Sequence, residues 1–512
     1  ILKIHSMGLL DRLLADKTTK THILWATDAY REQGAEYQRD KEITPALVTG
    51  NHSGIIKNRA RKALEQQSER TRQRGEVFTP LWICAKMNDT LDAQWFGKEN
   101  VFFQDGQPTE RVLFPKRRNW QHYIDNRRLE LTCGEAPYLV SRYDVSNGES
   151  IPIPHRIGIL DRKLRVVNEN ATDEAEWLKW VIRAYQSTYG YEFQGDNLLI
   201  ARVNLLMTFE EYLQTRWNRT PTVREYHTIT NIIAWNLWQM DGLSGTLPYC
   251  KAQKEYRQIS LFEWFDSGQY QEIVSTQPHC RIYDWRGERS LEYKNVNTGG
   301  RNMKFSAIIG NPPYVGISTG TQHRAKSNLF IPFVYNLQKY SCEKSVCSLV
   351  LPLSFSYNNH PGFREMRRSI ENDNAEWFIE HYDRSPDSLF GDDVKARACI
   401  VFRIDNNRHI IHTTGLMRWT SHSREMLLTA SKLYGEITNF SIEEYIPKLS
   451  CKCESTAYNK ILDQRVPLLD LVKPQTSFDQ NCIAIKGTAY NWICAYDHLP
   501  PAFNSDGNTY VS

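Results

Sequence analysis

No apolar run in this sequence approaches the roughly 18 residues that suggest a membrane-spanning helix, so no span is expected. The opening stretch, ILKIHSMGLLDRLLADK, places charges among its leucines and offers no small-residue cleavage site, so no secretory signal is expected there. The chain opens on Ile1, with Met7 a candidate start, and its last residues, NSDGNTYVS, stop without an element to finish them. That ending is the one expected of a chain cut within a domain. An excess of charge of either sign is nearly lacking, since 63 Lys and Arg against 59 Asp and Glu leave a net +4. Paired CxxC motifs are lacking too. The eleven cysteines are odd in number and scattered, and Cys451-x-Cys453 with lone Cys133, Cys280 and Cys399 makes no zinc pattern. No metal is therefore expected, and reduced thiols point to the cytoplasm. Internal repeats and low-complexity tracts are also missing.

What is present suits a globular protein of two or three domains: 512 residues, 41% hydrophobic and 24% charged. Charge is concentrated locally. KNRARKALEQQSERTRQR, residues 57–74, carries seven Lys/Arg against two Glu, which suits either a phosphate backbone or a solvated helix face. Residues 7–70 read as helical, with leucines and aromatics at helical spacing in LLDRLLADKTTKTHILWATDAYREQ. From about 127 short apolar runs ending in Gly, Asp or Pro alternate with helical stretches. RRLELTCGEAPYLVSRYD reads as a strand, a turn and the start of a helix. YGYEFQGDNLLIARVNLLMTFEEYL is a strand followed by a long helix that Asp196 could cap. CRIYDWRG, FSAIIGNPPY, SVCSLVLPLSF and ARACIVFRI are further strands, with a helix near GFREMRRSI. This alternation predicts an α/β fold with a doubly wound, mostly parallel sheet, whose ligands sit beyond the carboxyl ends of the strands. After about 405 the rhythm stops. The expected domains are a helical segment over 1–73, a catalytic domain over 74–404 and a separate region over 405–512.

The most informative stretch is KFSAIIGNPPYVGIS, residues 304–318. Proline lacks an N–H and has a fixed φ, so Pro312 and Pro313 stiffen the loop after the strand. Asn311 adds an amide with one acceptor and two donors, and Tyr314 adds a ring face for stacking. Together they describe a rigid cup for a planar amine. The amino group of adenine is a poor nucleophile because its lone pair is delocalised into the ring. Accepting its two protons at Asn311 Oδ1 and at the Pro312 carbonyl would push the nitrogen towards tetrahedral geometry. A tight loop with no such role uses the same residues, so the motif's weight comes from its place at a strand's carboxyl end.

At this point the chain resembles the S-adenosylmethionine-dependent DNA methyltransferases that modify adenine N6 in bacterial restriction–modification systems, in the gamma motif order, and among them the large Eco57I-like type II methylases. The resemblance covers about 74–403 and implies a Rossmann-like methyltransferase sheet. RGEVFTP, Arg74–Pro80, looks like the family's cofactor motif, with Thr79 and Pro80 lining the methionine end. LELTCGEAPYL looks like its glycine-rich motif. Glu130 stands at the acid, as a partner for the cofactor ammonium, and Cys133 and Gly134 at the Cys-Gly pair. Leu131 replaces the family's proline and Ala136 its last glycine, which makes the turn bulkier. Glu192 is the match for the acid that takes the ribose hydroxyls, 58 residues past Gly134, with an insertion around 145–185 and with Asp161 as its rival. Asp284, 27 residues before Asn311, matches the acid for the cofactor's adenine amine. SNLFIPFVYNLQKY, SLVLPLSFSY and DSLFGDDVKARACIVF resemble later segments, with Phe390 at the aromatic that stacks on a flipped base alongside Tyr314.

The implied activity is methyl transfer to adenine N6 in a specific duplex DNA sequence, catalysed at Asn311, Pro312, Pro313 and Tyr314. Double-stranded DNA, and a partner nuclease, are the implied partners. Base flipping is implied because the target nitrogen is out of reach inside a stack. Target recognition falls to the region after 405, and residues 57–74 and PKRRNW at 115–120 are candidate phosphate contacts. Three other readings stay open. One is an Asn-Pro-Pro-Tyr methyltransferase of RNA or of a protein glutamine. Another is a bifunctional restriction–methylation enzyme, although residues 1–74 hold no convincing Asp…Glu-x-Lys set. The third is a DNA-binding subunit with a decayed cofactor site.

Overall fold

The structure, a computed structural model, describes residues 1–58, 60, 79–145, 147–249, 278–296, 303–314, 316–317, 327–390, 396–423, 432–437 and 441–463, with backbone strands at 472–474, 482–485 and 491–494. Most of the basic segment 57–74, and Arg74–Phe78 of the first motif, lie outside the described residues. The chain divides into two compact units. One holds 1–437 with 441–451; the other holds 438–440 with 452–512. In the second unit a helix, Lys452–Asp463, precedes a three-stranded antiparallel sheet with Asn491–Cys494 in its middle.

The first unit is built on nine strands: β1 (Arg128–Leu131), β2 (Thr188–Glu192), β3 (Leu237–Gln239), β4 (Phe305–Gly310), β5 (Ser341–Pro352), β6 (Glu376–Tyr382), β7 (Ala398–Ile404), β8 (Ile410–Met417) and β9 (Gly435–Ile437). Their order is β9-β8-β6-β7-β5-β4-β1-β2-β3. Strands β3, β2, β1, β4 and β5 are mutually parallel, while β7 lies antiparallel between β5 and β6. This is the Rossmann-like methyltransferase sheet, doubly wound and α/β as expected. Every residue of β1, β2 and β7 is buried, as strands covered on both faces must be. The sheet runs on past residue 405, because β8 pairs onto β6 and β9 onto β8.

Strand β6, EWFIEHY, does not stand out in the sequence because charged residues break its apolar run. Each is matched in the fold. Glu380 accepts from Lys86 at 3.0 Å, Glu376 from His412 at 2.9 Å, and His381 bonds to Ser356 at 2.9 Å. Two helices, Ile159–Asn170 (α2) and Glu174–Gln186 (α3), fill the stretch between β1 and β2 and account for its length.

The amino-terminal stretch is less helical than its leucine spacing suggests. Among the described residues its α-helices are short, Leu2–Ser6, Leu10–Leu14 and Pro45–Val48. The second stops where Asp16 accepts the N–H groups of Thr18 and Thr19 at 2.8 Å, closing a turn against further helix. This segment then crosses the start of the long helix Gly195–Trp217 (α4). A Cβ at Gly195 would stand 2.0 Å from the Leu24 carbonyl, so only glycine fits. Asp196 is in the first turn of α4 and is not its cap; it accepts the Tyr30 hydroxyl at 2.8 Å.

Beneath the sheet, helix Leu81–Phe96 (α1) contributes Asp92, which is 1% exposed and accepts from Arg128 and from Arg162 at 2.7 Å each. Burial alone would raise this carboxyl's pKa, but the two guanidinium charges outweigh it and hold it below the ordinary range. Replacing Asp92 with Ala leaves buried Arg128 without its carboxylate and Arg162 with Asp89 alone, and is expected to cost about 3–5 kcal/mol, read as a lower urea midpoint.

Candidate active site

The carboxyl ends of β1, β2 and β4 are in register, since Leu131 faces Gly310 and Glu130 faces Gly190. The loop after β4 begins with Asn311. Its Nδ2 donates to Thr79 Oγ1 at 3.1 Å, and its backbone carbonyl accepts from Thr132 Oγ1 at 3.2 Å. Pro312 is buried, and Tyr314 donates its hydroxyl to Asn311 Oδ1 or to the Val350 carbonyl, the latter at 3.1 Å. Burial drives the Tyr314 phenol pKa far up, so it remains a donor. The Asn-Pro-Pro-Tyr loop is therefore framed by the turn after β1, the residue before α1 and the strand β5.

Thr79 does more than line a cavity. Its hydroxyl accepts from both Asn311 Nδ2 and the Tyr138 hydroxyl, the latter at 3.4 Å, which leaves the Asn311 Oδ1 end towards Tyr314. Pro80 precedes α1 at its N-cap, where no N–H is needed. Phe390, buried at 8% exposure, has its ring 6.3 Å from that of Tyr314 at 59°.

After β1 the chain turns through three left-handed residues: Thr132 (φ 47°), Gly134 (φ 55°) and Ala136 (φ 65°). Gly134 donates its N–H to Glu192 Oε2 at 2.8 Å, and Glu192 Oε1 accepts from the Gln194 N–H at 3.1 Å. Glu192 thus closes β2 and braces the turn. Cys133 is buried, and burial pushes its thiol pKa well up. Glu130, 1% exposed, accepts the Leu139 N–H at 3.2 Å. Its carboxyl pKa is raised well above the usual range. Burial is the largest cause, the N–H groups of Tyr138 and Leu139 oppose it, and the Glu192 charge adds to it.

Asp161, the rival to Glu192, lies in the first turn of α2 and accepts the Ser141 N–H at 2.8 Å, with burial raising its pKa to about 6. It is on a helix, not at a strand end. Asp284 is not brought to the site either. Its segment pairs as a hairpin, Arg281–Asp284 with Arg289–Glu292, outside the main sheet. The carboxylate binds Arg127 at 2.5 Å, at the amino-terminal end of β1, and so at the opposite edge. The expectation that CRIYDWRG is a strand of the main sheet misplaced this acid. The acid at the end of β3 is Asp241. Met240 donates its N–H to the Glu192 carbonyl at 3.0 Å, which puts Asp241 next to the end of β2. Its Oδ1 takes the Leu243 N–H at 2.9 Å. The signal in the sequence was NLWQMDGL, a short apolar run ending in acid and glycine after a helix, but its three-residue strand is brief.

Ala136 holds a backbone conformation that glycine adopts without penalty. Ala136→Gly removes a left-handed cost of ~1–2 kcal/mol and adds ~0.4–1 kcal/mol of unfolded-chain entropy. The buried methyl that is lost costs a further ~0.8 kcal/mol, so the three contributions nearly cancel and a change of less than about 1 kcal/mol is expected in urea unfolding.

No curated protein matches the chain. Among solved structures it is similar to the DrdV–DNA complex, with 13% identity and a TM-score of 0.42 over 74% of this chain and 32% of that one. It is also similar to the ATP-dependent Type ISP restriction-modification enzyme LlaBIII bound to DNA, with 13% identity, TM-score 0.42, and 80% and 24% covered. A third is the M protein of the type I restriction enzyme EcoKI, with 10% identity, TM-score 0.33, and 82% and 60% covered. The chain spans 32% and 24% of the length of the first two. Residues 186–386, which include Glu192, Asp241 and Asn311–Tyr314, match the family model of the Eco57I restriction-modification methylases.

Proposed function

We propose that this chain methylates adenine N6 in a specific duplex DNA sequence, as the modification part of a restriction–modification or phage-defence system. The observation that carries the reading is Asn311 Oδ1 at the end of β4, with the opposite end of its amide fixed by Thr79 and its carbonyl fixed by Thr132. With Nδ2 given to Thr79, Oδ1 is the end that can accept a proton from a planar amine.

The turn after β1 suits S-adenosylmethionine. Glu130, Glu192 and Asp241 lie on three neighbouring parallel strands or just beyond their ends, and Glu192 already binds the turn through Gly134. Bound there, S-adenosylmethionine supplies a methyl group already activated on a sulfonium. Glu130 is the counter-charge for an ammonium, Glu192 accepts from ribose hydroxyls, and Asp241 takes the adenine-amine role first expected of Asp284.

Asn311 and the Pro312 carbonyl accept the two protons of the target amine and turn its lone pair outward. The amine must first displace the Tyr314 hydroxyl from Asn311 Oδ1. The surplus proton leaves N6 after the methyl has arrived, so no strong base is required. Tyr314 and Phe390 flank the base. For a ring to lie between them they must turn parallel and part to about 7–8 Å, twice the optimal carbon contact distance. Stacking at ~1–3 kcal/mol per base then offsets the cost of extrusion. Sequence choice is assigned to the region after 405, and the exposed Lys116 and Arg117 are candidate phosphate contacts.

Glu130 generates a pH dependence. Its carboxyl is protonated to higher pH in the empty site and must ionise to hold an ammonium. Cofactor binding therefore releases protons and tightens as pH rises towards neutrality. Glu130→Gln is expected to weaken binding and flatten that profile in calorimetry.

Asn311→Ala is expected to abolish N6-methyladenine in DNA from expressing cells while cofactor binding persists. Unchanged modification, or labelled methyl transfer to RNA or protein but to no duplex, would remove the reading.

A further inference from the structure

The carboxyl-terminal edge of the sheet holds charged groups that methyl transfer does not use. Asp383 follows β6 and is 2% exposed. Its Oδ1 accepts Arg397 Nε at 2.8 Å and its Oδ2 accepts Arg418 Nε at 2.8 Å. Oδ1 also takes the Arg384 N–H at 2.8 Å. The arginines themselves reach solvent, with side chains 49% and 69% exposed. Among the described residues each gives the carboxylate only its Nε, so the terminal Nη donors of both forks are directed elsewhere. The Arg397 bond, ahead of the other donors and against a smaller desolvation cost, pulls the Asp383 carboxyl down to about 2. It is ionised throughout the neutral range. Two guanidinium groups on one carboxylate leave a net positive charge, to which the exposed Arg384 adds. Asp387, on the same loop, is taken up by the Ser421 N–H.

The position ties this group to the site. Tyr314 bonds to the Val350 carbonyl, and Val350 pairs with Ile400 on β7. Arg397 lies three residues further out along that strand, where its carbonyl accepts the Leu353 N–H at 2.9 Å. At about 3.3 Å per residue the step is about 10 Å, on the scale that separates a nucleobase from its flanking phosphates.

We propose that Asp383 braces Arg397 and Arg418 as a paired guanidinium clamp for DNA-backbone phosphate beside the extruded base. A planar fork with free Nη donors matches phosphate oxygens two at a time. An exposed ion pair contributes little to stability, so the brace serves to set direction. It holds two long side chains in one orientation and lowers the entropy lost on binding. The proposal rests on the duplex-DNA reading above.

The test measures binding of the full chain to an adenine-containing duplex over a range of salt concentrations. The double variant Arg397→Gln with Arg418→Gln is expected to bind at least tenfold more weakly. Its slope of log affinity against log salt should be shallower by about 1–2, at roughly 0.9 per lost phosphate contact. Cofactor affinity serves as the folding control, and should the double variant fail it, Arg418→Gln alone is read instead. Arg408→Gln removes the same charge from the turn between β7 and β8 at the other edge and is expected to change neither quantity. An unchanged slope and affinity in a parent chain that still methylates DNA overturns the clamp and leaves the enzyme reading standing. A parent chain that binds no duplex overturns both.

Discussion

Leu131 of β1 and Gly310 of β4 face each other at the carboxyl edge of the sheet, and the site depends on how closely they meet. A Cβ at Gly310 would stand 2.8 Å from the Leu131 carbonyl. That approach brings Thr132 onto the backbone of Asn311, so the turn for one ligand and the loop for the other share a hydrogen bond. A residue larger than glycine would part the strands and move the two halves of the site independently. The proline pair then has a simple purpose: with the strand ends pinned, two fixed φ angles carry that precision outward to Tyr314.

Electrostatics divides the sheet into two edges. Towards the amino-terminal edge the charges are paired and closed. Asp92 satisfies Arg128 and Arg162, and Asp284 satisfies Arg127. At the carboxyl edge the carboxylates of Glu130 and Glu192 accept backbone N–H groups. Burial without a cation is what raises the Glu130 pKa, and it leaves the site in need of a positive ligand. Further along the same edge, past β6, Asp383 carries two arginines that extend into solvent. One edge thus combines a place for a cation with a place for an anion, the combination that a sulfonium cofactor and a phosphate backbone require.

Tyr314 has two roles that compete. Its hydroxyl lies on the amide oxygen that the proposed substrate amine would need, and its ring, beside Phe390, would be one wall of the proposed base pocket. Entry of the base must break that hydrogen bond and open the gap to Phe390 together. The hydroxyl keeps the buried Asn311 oxygen satisfied until then, which avoids the cost of an unpaired buried acceptor.

The sequence by itself determined the sheet type, the strands FSAIIG, SLVL and ACIVFRI, the Asn-Pro-Pro-Tyr loop, and Glu192 at the end of its strand. These were legible because strands covered on both faces read as unbroken apolar runs, and because a motif's chemistry resides in consecutive residues. Strand β6 was not legible, because Glu376, Glu380 and His381 look exposed until partners from other elements are known. The exchange of Asp284 for Asp241 was decided only by tertiary structure. Both end short apolar runs, and nothing local distinguishes a strand of the main sheet from a hairpin beside it. The same holds for the left-handed Ala136, for Thr79 on Asn311 and for Asp383 between its arginines. Each depends on contacts between residues far apart in the chain, which strand register sets and residue spacing does not record.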